Sequence, residues 1–246
     1  MFNLIRAEFY RFKNSGGYLY LMILASVLAL SLTFIDNGGA ENSFDFPVVL
    51  SNVTQMTYNM ALLTCGTLLT IFIGVSYNNR MSYYEIMAGN PPHKIILSKT
   101  LSTGFLSSVI VYVPTAILLL VSFIKNGKGS IEDPLMVFII LFVVTLHTMF
   151  SFILYAMLGR NLVIASFIPY IRLGILDLIV YLLIAQEFSE HVDNKLLYIT
   201  TNSQMAHLMN MSGDSKLLLI VLLSSVVECA VLYILVYFVY KNRLFK

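Results

Sequence analysis

The chain has 246 residues, of which 58% are hydrophobic and 11% charged, with a mean hydropathy of +0.82. A water-soluble domain of this size has no interior large enough to hide that much apolar surface, so the solvent implied by the sequence is a lipid bilayer. The formal net charge of +2 is small; what informs is where the charges fall.

Residues 1–15 place Phe2, Ile5, Phe9 and Phe12 at helical spacing, with Arg6, Arg11 and Lys13 around them. This pattern predicts an interfacial amphipathic helix, apolar side in the acyl boundary and basic side toward anionic headgroups, rather than a frayed basic tail. The apolar run after Gly17 is longer than a secretory signal core and no small-x-small cleavage site follows it, so it is expected to be retained.

Six runs are long enough to cross ~30 Å of hydrocarbon at about 1.5 Å per residue. They lie at 18–35, 58–77, 95–124, 135–158, 162–185 and 216–240. The expectation is an all-α integral membrane protein forming one domain over 1–246, with no separate soluble domain. The third run is long enough to tilt or to begin at the interface, and Pro114 is a potential kink. Cys65 and Cys229 fall inside apolar runs, which argues for core packing and against a disulfide framework.

Orientation follows from lysine and arginine in the connecting loops. One side collects Arg6, Arg11, Lys13, Arg80, Lys94, Lys99, Arg160, Lys241, Arg243 and Lys246, ten cations against Glu8 and Glu85. The other side has four cations and nine acids. The first side is therefore expected to be cytoplasmic, with both ends of the chain inside. Of the outward loops, 36–57 and 186–215 are long and 125–134 is short; Leu196 to Ile199 and Met205 to Met211 suggest a helix on or dipping into the outer leaflet.

Between the second and third runs lies a polar stretch, 78–94. Ser82 followed three residues later by Glu85 matches a capping box. Gly89 supplies a left-handed stop, and Pro91-Pro92 cannot continue a helix. A helix of roughly two turns, Tyr83 to Ala88, is too short to persist alone in water and needs something to lie against. Tyr83, Tyr84, Ile86 and Met87 are side chains of the kind that anchor interfaces.

Arg172, Glu228 and His147 each sit near the middle of an apolar run, and Asp177 lies about one and a half turns outward of Arg172. A charge at the bilayer centre costs on the order of 2.5–3.5 kcal/mol, so these groups are expected to face protein or water and to find partners. Matching depths predict that Arg172 pairs with Glu228, while Asp177 is turned about 140° away from Arg172. Such a cluster either lines a translocation path or locks two spans together. Pro169 and Gly174 flank Arg172 and favour a break in the fifth run there.

Recognisable catalytic chemistry is missing. There is no phosphate-binding loop (Gly127-Lys128-Gly129-Ser130 has the wrong spacing), no H-E-x-x-H, no G-x-S-x-G and no Cys/His cluster with metal-ligand spacing. Basic residues interleaved with exposed aromatics are missing too, so nucleic acid is not an expected partner. Energy for any transport has to come from a gradient or from another protein.

The segment Tyr83-Tyr84-Glu85-Ile86-Met87-Ala88-Gly89-Asn90-Pro91-Pro92-His93-Lys94-Ile95-Ile96-Leu97-Ser98-Lys99 resembles the acidic stretch, glycine turn and basic return into the third span of ABC-2 type ABC transporter permeases. The order of amphipathic helix, six spans and an inward helix between spans two and three is similar as well. The resemblance implies that 78–94 is a coupling helix seated in a separate ATP-binding subunit, with Ser82, Tyr83, Tyr84, Glu85, Ile86, Met87, Gly89 and His93 at that contact. It implies two ATPase copies, which bind ATP and Mg, a second permease as homodimer or heterodimer, surrounding membrane lipid and a bacterial plasma-membrane location. The chain itself would hold no cofactor or metal and would not be an enzyme. Its size is similar to the small permeases of antimicrobial-peptide export and bacteriocin self-immunity. The rival readings are a gradient-driven secondary transporter or channel, whose inverted repeats and glycine-rich half-helices are not evident, and a non-transporting membrane sensor or immunity subunit.

Overall fold

The computed structural model describes residues 2–36, 45–53, 58–78, 81–159, 163–164, 167, 171–176, 179, 200–211 and 214–244. Among them every regular element is helical, and there is no strand.

Helix α1 (Phe2–Asn14) ends where the Ser15 hydroxyl donates to the Phe12 carbonyl at 2.7 Å, and α2 (Gly16–Asp36) starts directly after that turn. Phe12 does not lie in the acyl boundary as its spacing suggested. It is buried edge-on against Phe72, ring centroids 5.2 Å apart, while Phe2 and Phe9 stay exposed. Helix α3 (Phe46–Asn52) folds within a segment that reads as loop, and its Phe46 is buried against the rings of Phe123 and Phe138.

Helix α4 (Tyr58–Asn78) is followed by the short α5 (Met81–Met87) and by a continuous helical rod from Pro92 to Asn126. The rod comprises α6 (Pro92–Lys99), a π-helical turn at Thr100–Gly104 and α7 (Phe105–Asn126). Pro92 occupies the first position of α6, where a missing N–H costs nothing. The departure from α geometry lies at a run of hydroxyl side chains, not at Pro114. Ser98, Thr100, Thr103, Ser107 and Ser108 each donate back to a carbonyl three or four residues earlier. That competition with the backbone ladder loosens the turn locally.

Helix α8 (Pro134–Leu158) is capped by Asp133, whose carboxylate accepts from the amides of Leu135 and Met136 at 3.1 and 3.3 Å. It is the central helix and packs against α4, α7 and the last helix, α11 (Ser215–Leu244). Of its most apolar stretch 67% is buried, against 22% in α11, whose outer face presents leucine, valine, isoleucine and phenylalanine. Gly66 of α4 lets the two helices close up: a Cβ there would overlap the Phe152 ring of α8.

Two short helices, α9 (Thr201–Ala206) and α10 (Leu208–Met211), precede α11. Met205, Leu208 and Met211 are buried against α8 rather than in a leaflet, so this apolar patch belongs to the protein core. Leu196 to Ile199 lies outside the described residues.

Among the described residues three helices are long and apolar enough to cross a membrane: Pro92–Asn126, Pro134–Leu158 and Ser215–Asn242. Helices α2 and α4, of 21 residues each, pack beside them. The expected limits at 18–35, 58–77, 95–124, 135–158 and 216–240 all fall inside observed helices. Most of 162–185 lies outside the described residues, apart from a π-helical turn at Ile171–Leu176.

Candidate functional site: a tethered short helix and a buried charge cluster

Helix α5 covers Met81–Met87, so Ser82 falls within its first turn rather than at the cap. The helix resumes almost at once after α4, which moves its start ahead of the expected Tyr83. The side chains of Ser82 and Tyr83 lie outside the described residues. The stop is as the sequence suggested. Gly89 has φ of 84°, its amide donates to the Ile86 carbonyl at 2.8 Å, and the Asn90 amide donates to the Glu85 carbonyl at 3.3 Å. That pair of bonds is a Schellman cap. The Asn90 side chain adds a second donor to the same carbonyl at 3.0 Å.

Helix α5 has two unlike sides. Outward, Tyr84 and Met87 are 64% and 68% exposed, and Gly89 and His93 are exposed beside them. Inward, the Glu85 carboxylate meets Lys99 Nζ at 3.0 Å and Arg11 Nη1 at 3.8 Å, and Ile86 is half-buried. The network continues into α1: Arg11 pairs with Glu8 at 3.2 Å, and Lys99 lies 3.9 Å from the same Glu8 oxygen. Arg11 also donates to Ser76 at the end of α4 and sits over the Phe72 ring at 5.2 Å. Two acids and two bases thus tie together α1, the end of α4, α5 and the start of the rod. His93 of α6 is not part of this network; its carbonyl accepts from the Tyr233 hydroxyl of α11 at 3.3 Å.

Glu8 and Lys99 are both almost fully buried. Burial pushes the Glu8 carboxyl above the ordinary carboxylate range; Lys99 and Arg11 oppose that rise, and Glu85 adds to it. Neither residue stands out in the sequence, because both lie at the margins of apolar runs where a charge is expected to face headgroups. The available signal was the i, i+3 spacing of Glu8 and Arg11 on a helix otherwise short of acids.

The second constellation lies inside the bundle. Arg172 grips Glu228 with two parallel bonds, Nε to Oε1 at 2.9 Å and Nη2 to Oε2 at 2.6 Å, the geometry in which a guanidinium holds a carboxylate best. Its Nη1 donates to the Thr201 hydroxyl at 3.0 Å, and His147 Nε2 lies 3.0 Å from Glu228 Oε2. The cluster therefore joins α8, α9, α11 and the π-helical turn that carries Arg172. That turn also contains Gly174, so the irregularity expected around Arg172 is present. His147 is a hydrogen-bonded core residue, and its Nδ1 has no partner among the described residues. Asp177 lies outside the described residues. Thr201 was not anticipated: it sits in a polar stretch that only the fold brings to the arginine.

Among the described residues no group of His, Cys, Asp or Glu is arranged to hold a metal ion. No known protein family, curated protein or solved structure matches the chain.

Proposed function

We propose that this chain is the permease subunit of an ATP-driven exporter of the ABC-2 kind, with six spans, both ends inside and α5 as the coupling helix. The observation that carries the reading is the two-sided presentation of α5. Aromatic and methionine side chains are offered to solvent, while the backbone is capped and the inner side is ionically anchored to two other segments, α1 and the start of the rod. A helix of seven residues held rigidly with its apolar anchors outward is organised to be gripped. A motor pulling on Tyr84 and Met87 would pass force through Glu85 to Lys99 and so to the rod that includes α7. In this reading the chain works in a bacterial plasma membrane, with two ATPase copies that bind ATP and Mg and a second permease. The cargo is a peptide or another amphipathic, lipid-like molecule, as in antimicrobial-peptide export or self-immunity.

The test is a photo-crosslinking residue at position 84, with the chain expressed beside its native ATPase. Crosslinking to that ATPase, lost when Met87 is also changed to Asp, is the expected result. An ATPase that co-purifies yet never crosslinks at 84 would refute the coupling role.

One observation favours a second reading, a gradient-driven transporter: ionisable groups in the interior of a membrane bundle are what ion-coupled carriers use. Transport persisting in vesicles without ATP, and abolished by His147→Gln, would select it.

A further inference from the structure

Helix α1 turns one face into the protein and a different face toward a groove. Glu8, Arg11 and Phe12 make up the inner face. Arg6, Phe9, Tyr10 and Lys13 occupy an arc of about 100° on the other side, at about 100° per residue. With Leu19 of α2 and Leu106 of α7 they line an open groove of about 390 Å³, within the ~300–1,000 Å³ range of ligand pockets.

We infer that this groove is a binding site for one anionic phospholipid, its phosphate between Arg6 and Lys13 and an acyl chain against Phe9, Leu19 and Leu106. Arg6 and Lys13 are seven residues apart, two turns along one face, and are both exposed. Among the described residues no acidic side chain lines the groove, and Glu8 of the same helix is committed to Arg11 and Lys99 on the inner face. Two cations above an apolar wall match a molecule with a negative head and a hydrocarbon tail. A soluble anion would use only the cations, and a neutral lipid only the wall. Exposed apolar side chains continue from the groove, Ile23 one turn along α2 from Leu19 and Phe105 next to Leu106 on α7, so an acyl chain can enter sideways from the bilayer. The inference needs α1 to lie at a membrane surface and requires no transport activity.

The experiment uses the full chain, purified in detergent and stripped of lipid, with binding read by native mass spectrometry. Dioleoyl phosphatidylglycerol and dioleoyl phosphatidylcholine are titrated in parallel. The wild-type protein is expected to prefer the anionic lipid, and each of Arg6→Gln and Lys13→Gln to lower that preference about fivefold, the effect of ~1 kcal/mol per cation. Leu106→Trp, which leaves both cations and fills the wall, should weaken both lipids. Lys241→Gln removes an exposed cation elsewhere and should change nothing. Preference surviving the Arg6→Gln, Lys13→Gln double variant, or lost equally in Lys241→Gln, would overturn the site. So would displacement of phosphatidylglycerol by millimolar inorganic phosphate, which would mark a free-phosphate site. Since Arg6 and Lys13 are exposed, the variants should keep the wild-type elution profile; Lys13→Gln alone suffices if the double variant does not.

Discussion

Glu228 accepts from a guanidinium and lies beside an imidazole, and Arg172 is nearly buried, so each charge depends on the other. Removing one partner leaves an uncompensated charge in the bundle, at a cost of about 3–5 kcal/mol, whereas removing both leaves only packing defects. Arg172→Met and Glu228→Leu should each sharply reduce folded yield and the thermal midpoint in detergent, and the double variant should recover most of the loss. A double variant no better than the worse single one would disprove direct coupling. This pair was legible beforehand because a charge in a long apolar run must find a partner at its own depth, and depth can be counted. Glu8 was not legible, because only tertiary packing buries it. Burial holds its carboxyl above the usual range against the opposing pull of Lys99 and Arg11, so the docked state binds this proton more tightly than the unfolded chain does. The stability this contributes is present below the unfolded value, near 4.5, and is lost as pH rises through the folded value. Glu8→Gln, which cannot ionise, should therefore exceed the wild type in thermal midpoint by a margin that grows with pH across that window. A margin that shrinks as pH rises would contradict it.

At the scale of elements, periodicity and length placed five helices with limits close to those observed, because a bilayer-length apolar run has few alternatives to a helix. What escaped are short pieces whose stability is borrowed. Helix α3 has seven residues and a proline, and it is held by Phe123 and Phe138, far away in sequence. Helices α9 and α10 are held by α8. The π-helical turn at Thr100–Gly104 arises from hydroxyls whose hydrogen bonds depend on local geometry, which composition alone does not reveal. The contact between α4 and α8 is testable in isolation. Gly66→Ala places a methyl group where the Phe152 ring lies, so one helix must shift or the ring must leave its rotamer, at about 1–3 kcal/mol. Gly66→Ala should lower the thermal midpoint, and Phe152→Leu, by opening space, should restore part of it. If Gly66→Ala is as stable as the wild type, the two helices are not in the contact described.

For the whole molecule, the ionic anchor of α5 and the cluster around Glu228 bear on function only if the first faces the cytoplasm and the second lies within the membrane. Charge asymmetry predicts the direction: ten cations mark the α5 side, and the opposite loops carry nine of the acids. Helix α5 touches both α4 and the start of the Pro92–Asn126 rod, and α3 packs on α7, so probes at α5 and at the turn after α7 report on the two ends of that rod. Single cysteines can separate the two ends in a Cys65→Ala, Cys229→Ala background, since both native thiols lie within helices of the bundle. Lys128→Cys, in the exposed turn after α7, should react with a membrane-impermeant maleimide in intact cells. Tyr84→Cys should react only after the membrane is opened or inverted. Its exposure on α5 makes silence in intact cells a consequence of sidedness, not of burial. The reverse pattern would invert the topology and remove α5 from the reach of any cytoplasmic motor; labelling of both sites from outside would mean that the apolar rod between them does not cross the membrane.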